Sequence, residues 1–172
     1  MRFLSTSKTQ EWIDTRFGSN HETRSTNQPG DDNSPEIQMV VTGLEPPRLI
    51  SFLEDYVKAL QSWNQCLVWV RDPGLGNADL NLYYQLRKSY GDHHLLEEAP
   101  GHLFVEHEIR DLRTLLLVCL VNAWDADIFP GDKYARGHIS HDGWMSLRSR
   151  HEWVLQEVES IVKERQLPTR QC

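Results

Sequence analysis

The chain is poor in the residues and patterns that usually mark a chemistry. Its 172 residues include three cysteines, Cys66, Cys119 and Cys172, an odd number, widely spaced and without a CxxC pair. That spacing excludes a disulfide framework and a zinc ribbon, and predicts a reducing, cytoplasmic setting. Cys66 and Cys119 lie inside apolar runs, where cysteine behaves as a small hydrophobe. The longest apolar run, residues 115–121, is far shorter than the ~20 residues a membrane span requires. The opening MRFLSTSK lacks an apolar core and a small-residue cleavage site, so no signal peptide is expected. An excess of basic residues is also missing. With 18 Lys and Arg against 25 Asp and Glu, the net charge is −7, which argues against nucleic acid and against anionic membranes as partners. No internal repeat is present.

What is present predicts a mixed α+β domain of about five strands and about four helices. Residues 19–35 contain no large apolar side chain and cannot offset the entropy of ordering, which predicts a flexible linker. Ahead of it, residues 1–18 read as a short docking helix with Trp12, Ile13 and Phe17 on one side and Gly18 as its stop. Residues 36–167 form the globular domain. Residues 36–44 alternate as a half-buried strand, Pro46 and Pro47 suit the first turn of a helix, and residues 66–70 form an apolar strand. Strand, helix and strand together imply a crossover. Residues 77–90 fit a helix better than a strand.

A central helix over residues 106–124, apolar nearly all round, is expected to be covered on nearly all sides. The C-terminal part predicts strands over 125–130 and 135–141. A two-residue turn at Asp142-Gly143 follows, with positive φ expected at both positions. A return strand 144–147 and a helix from His151 to about Gln166 complete the domain.

Three patterns invite a chemical reading. Residues 93–108 gather His93, His94, Glu97, Glu98, His102, Glu106, His107 and Glu108. Imidazole and carboxylate are zinc ligands, so His93, His102, His107 and Glu97 define a candidate metal site for a metal-dependent hydrolase. The spacing is not that of HExxH, since His102 and His107 lie five apart. A solvated rim is the plainer reading.

The segment HISHDG supplies Ser140, His138, His141 and Asp142, the residue types of a nucleophilic triad. It has no GxSxG context, and a triad is defined by geometry and not by closeness in sequence. Residues 72–77, DPGLGN, lack both GxGxxG and GK[ST] and read as a turn. The remaining pattern is an acidic surface with aromatic anchors: Tyr90, Asp92, Glu97, Glu98, Asp142 and Trp144. Acid draws a basic partner, and Tyr or Trp holds it with little entropy loss.

The strings LYYQLRKSYGDHHLLEEAPGHLF, the E-x-x-DL of residues 108–112, NAWDAD and ISHDGW resemble a family of small uncharacterised bacterial proteins, over somewhat more than a third of the chain. That resemblance implies no reaction. The closing ISHDGW pattern also resembles immunity-type proteins of bacterial toxin systems, which are small and acidic and act by occluding a toxin. The leading expectation is therefore a non-enzymatic, cytoplasmic immunity protein that needs no cofactor and neutralises a basic toxin. The alternatives are the zinc hydrolase and a structural subunit docked through residues 1–18.

Overall fold

The structure is a computed structural model that describes residues 1–18, 34–60, 63–73, 80–131 and 135–170. Two sequence readings, the linker over most of 19–35 and the turn over 74–77, lie outside the described residues, as does Cys172. The strands are β1 (Arg2–Leu4), β2 (Glu36–Val40), β3 (Gln65–Asp72), β4 (Gly101–Val105), β5 (Asp125–Pro130), β6 (Ala135–Ser140), β7 (Trp144–Ser149) and β8 (Thr169–Arg170). They form one sheet in the order β1-β4-β3-β5-β6-β7-β2-β8, and each paired neighbour is antiparallel. The helices are α1 (Thr6–Phe17), α2 (Pro46–Ala59), α3 (Leu80–Ser89), α4 (Ile109–Val121) and α5 (Glu152–Glu164).

The α+β class is as expected, while eight strands and five helices exceed the expected five and four. Beyond those five runs, β4 holds five residues, while β1 and β8 hold three and two, too few to show a period of two. The crossover exists in a wider form than expected. β2 and β3 run parallel with β5, β6 and β7 between them, so α2 crosses three intervening strands.

Alternation along the strands gives the sheet two faces. Cys66, Val68, Val70, Phe104, Ala126, Ile128, Ile139, Met145, Leu147 and Met39 point into the main core, against Phe52, Leu53 and Tyr56 of α2, Leu112 and Leu116 of α4, and Val158 of α5. The alternate positions of β3, β4 and β5 bury Leu67, Trp69, Leu103 and Phe129 under Trp12 and Ile13 of α1. The N-terminal segment, expected as a docking helix, thus contributes an edge strand and a helix to this chain's own sheet. Ser5 caps α1 by accepting from the Lys8 amide at 3.4 Å.

Two local expectations are corrected. The apolar helix begins only at Ile109, after a 3-10 turn at Glu106–Glu108. It is not covered all round: Leu112, Leu115, Leu116 and Cys119 are buried, whereas Val121 is 64% exposed. The β6–β7 loop has three residues, because Ser140 pairs with Trp144. Gly143 takes φ +78, and Asp142 is not among the positive-φ residues. A three-residue loop needs a left-handed residue only at its last position. The Gly143 carbonyl there accepts from the Thr42 hydroxyl at 2.7 Å and from the Val41 and Thr42 amides, which ties the hairpin to the end of β2.

Candidate functional site

The aromatic and acidic residues singled out in the sequence separate into two places. Tyr90, Asp92, Glu97 and Glu98 belong to the connection from α3 to β4, on the helix side of the sheet, where Leu96 enters the main core. Trp144 lies on the opposite face, since its neighbour Met145 points into that core and its ring sits 5.3 Å from that of His138. Asp142 is at the tip of the β6–β7 loop and exposed.

The α3–β4 connection has no regular structure over residues 92–95, yet it is pinned from beneath. Leu96 is 1% exposed. Its amide donates to the Tyr84 hydroxyl at 3.2 Å, and the Leu95 amide donates to the Glu98 carboxylate at 2.9 Å. Asp92 accepts from Arg87 Nε at 2.7 Å and pairs with His94 Nδ1 at 2.7 Å. Burial works against the Asp92 charge, but the His94 and Arg87 bonds outweigh it and lower its pKa.

Arg87 is wholly buried. It donates to the Tyr83 hydroxyl at 3.0 Å and lies 4.4 Å from the Phe3 ring centre. The Tyr83 hydroxyl in turn reaches His102 Nε2, while His102 Nδ1 lies 2.9 Å from the Pro100 carbonyl. Because a carbonyl only accepts, the proton sits on Nδ1, and Nε2 accepts from Tyr83. Above this base His93, His94, Leu95, Glu97 and Glu98 are exposed; Leu95 retains 54% of its surface. Tyr90 is 39% exposed. Its hydroxyl bonds Asp111, and burial together with that carboxylate pushes its pKa up to about 12.

The residues proposed as metal ligands are dispersed. His102 is inside the sheet with both ring nitrogens engaged; burial, then the nearby Arg87 charge, lowers its pKa to about 3. His93 and Glu97 precede β4 and His107 follows it. A five-residue strand therefore separates them, about 13 Å at ~3.3 Å per residue. Among the described residues no group of three His, Cys, Asp or Glu is placed to hold a metal ion.

Sequence reading missed a second cluster. On the sheet face opposite the main core, the cross-strand register sets Trp69, Asp127, His138, Ser146 and Gln38 in one row. Asp127 is 6% exposed. It accepts from Arg71 Nε at 2.9 Å, Arg136 Nη2 at 3.2 Å and His138 Nδ1 at 3.1 Å. Burial alone would raise its pKa; the His138 bond and the two guanidinium groups hold it well below the carboxylate range.

The row contains Asp, His and Ser in triad order, but the Ser146 hydroxyl is bonded to the Glu36 carboxylate. Its proton is committed there, so it is not a nucleophile activated by His138. His141, the other histidine of HISHDG, stands outside this row on the loop, bonded to Asp125 at 2.9 Å. The detectable signal was weak: Asp127 and His138 are 11 positions apart on adjacent short strands, and only the register shows that they meet.

A cleft of about 340 Å³ lies beside the end of α5, lined by Phe52, Arg48, Arg165 and Leu167. Its cations are engaged within the chain: Arg48 donates to the Arg165 carbonyl at 3.0 Å, and Arg165 Nε to Asp55 at 3.0 Å. No family model, curated protein or solved structure matches the chain.

Proposed function

We propose that the protein is a non-enzymatic binding module that captures a basic protein partner on the α3–β4 connection. The observation that carries this reading is the pinned loop with Leu95 exposed between His93, His94, Glu97 and Glu98. An apolar anchor inside an acidic rim draws a basic surface electrostatically and then holds it by burial. Because the loop is fixed by Arg87, Tyr84 and Leu96 before binding, little ordering entropy is lost on association. The resemblance of ISHDGW to immunity-type proteins makes a bacterial toxin the partner class, occluded without chemistry. In this reading Asp142 and Trp144 lie away from the primary contact, and Tyr90 flanks it.

The test is affinity capture from a bacterial lysate with the wild type and with Leu95→Asp/Glu97→Lys/Glu98→Lys, followed by co-expression of the captured protein. Support requires a basic protein, released by moderate salt, absent from the variant capture and toxic unless the wild type is co-expressed. Equal capture by both chains, or undiminished protection by the variant, would refute the reading.

A further inference from the structure

We infer that the outer face of α4, with the adjoining end of α2, is a self-association surface on which a second copy of this chain lays its own α4 antiparallel. It is separate from the α3–β4 connection and does not depend on the partner proposed there.

The strip is written in the sequence of α4. Arg110, Thr114, Leu117 and Val121 recur at spacings of four, three and four residues. At about 100° per residue they fall within about 60° of one another on the helix. This is the seam spacing with which one helix packs along another. Within the chain the seam is open. Leu112, Leu115, Leu116 and Cys119 occupy the buried side of α4, whereas Arg110 and Thr114 are exposed and Val121 retains 64% of its surface.

α2 widens the strip. β3 follows α2 and is antiparallel to β4 and β5, which flank α4, so α2 and α4 run in opposite directions. Arg113 pairs with Glu54 across their seam. One turn onward, Leu117 stands beside Ile50, which is 41% exposed. The charges at the seam itself are matched within the chain, and the surface beyond them is apolar.

The ends of α4 select the occupant. Arg110 lies in the first turn, where the helix dipole disfavours a cation, and the last turn holds no basic residue. Asp111 of the first turn is engaged by the Tyr90 hydroxyl. In an antiparallel pair, Arg110 of one copy lies at the negative C-terminal end of the other helix. A parallel pair would set Arg110 against Arg110. With a two-fold axis near Leu117, Thr114 meets Val121 of the other copy, and both ends are satisfied by one isologous contact.

A single helix pair buries less than a standard interface, so half-association is expected on the order of 0.1 mM, and sedimentation velocity of the full chain covers about 5 µM to about 1 mM. The weight-average mass should rise from 20.1 kDa towards twice that value. Val121→Glu buries a carboxylate against the other copy and should weaken association at least about ten-fold. Arg110→Glu should weaken it about three-fold, and Arg110→Lys should leave it near the wild type. If Val121→Glu melts early, Arg110→Glu carries the comparison.

Thr114→Cys and Val121→Cys, each in a Cys172→Ser background, report the register. Residues 114 and 121 of opposite copies meet, whereas like positions lie about 10 Å apart along the axis, beyond disulfide reach. An oxidised equimolar mixture should cross-link, and neither variant should do so alone. A chain that stays monomeric to about 1 mM overturns the assignment. So does association that survives either Val121→Glu or Arg110→Glu undiminished, or cross-linking of each cysteine variant alone as fast as the mixture. Leu95→Asp/Glu97→Lys/Glu98→Lys should self-associate like the wild type, so loss of partner capture and loss of self-association are read separately.

Discussion

Replacing Asp127 by Asn tests the most heavily loaded side chain of the sheet. The substitution keeps the volume and one acceptor oxygen, removes the charge, and turns an NH₂ group towards Arg71, Arg136 or His138. Breaking a buried ion pair from one side costs about 3–5 kcal/mol. The arginine side chains retain 26% and 35% of their surface, so water recovers part of their solvation. The expected loss is about 2–3 kcal/mol near neutral pH, read from the urea midpoint with an unchanged slope.

The pH dependence gives a second readout. The Asp127 pKa is depressed in the folded chain, so its stabilisation is complete above the unfolded value of 3.8 and is lost as pH falls through the folded value. Below about pH 4 the wild type should therefore lose stability more steeply than Asp127→Asn. A loss under about 1 kcal/mol, a size typical of surface positions, or identical acid slopes would refute the account of Asp127 as the paired centre of this face.

Three further outcomes follow from other parts of the molecule. His102, lowered from 6.5 to about 3, should show ring resonances that do not move between neutral pH and about pH 5. Its contribution to stability is complete above 6.5 and declines as pH falls below that value, and His102→Gln should flatten this part of the profile. Arg87→Leu leaves Asp92 and the Tyr83 hydroxyl without their shared donor. It should cost about 3 kcal/mol and raise amide exchange in residues 92–98; unchanged exchange would show that the loop is held by other contacts. Gly143→Ala meets both the positive φ and the Thr42 side chain, an expected loss of about 2 kcal/mol or more. In Thr42→Ala/Gly143→Ala the hydroxyl contact is removed while the residue-42 Cβ at 2.9 Å remains, so only part of the loss should be recovered by urea denaturation, with about 1 kcal/mol or more of backbone strain persisting.

Elements with long periods were legible in the sequence, and contacts that depend on register were not. The stripes of α2 and α5 and the runs of β3 and β5 announce themselves, because each buries several consecutive turns or pleats. β1 and β8 escaped because two or three residues carry no period. The apolar run of α4 misled in one respect: Leu117, Val118 and Val121 read as core, yet they lie where no other described element fully covers them.

For the candidate site, the acidity of residues 92–98 and the exposure of Tyr90 follow from local composition. His102 was legible as a possible ligand at the start of a short strand, but nothing local shows that Tyr83 and Pro100 occupy both its nitrogens. The Asp127–His138 pair was less legible still. It requires knowing that β5 and β6 are neighbours and in which register they pair.

The two faces also explain how a chain of net charge −7 carries a row of arginines without acting as a basic surface. Arg71 and Arg136 share Asp127, and Arg148 lies 2.9 Å from Glu36, so each of these three guanidinium groups meets a carboxylate at short range. Glu97 and Glu98, by contrast, are exposed on the α3–β4 connection, where Glu98 spends one oxygen on a backbone amide that leaves its charge intact. Paired charges cancel within a few ångströms, whereas unpaired ones project over about a Debye length, ~8 Å at physiological salt. Glu97 and Glu98 therefore contribute to the field that an approaching partner meets at the loop. Salt should accordingly weaken protein capture there.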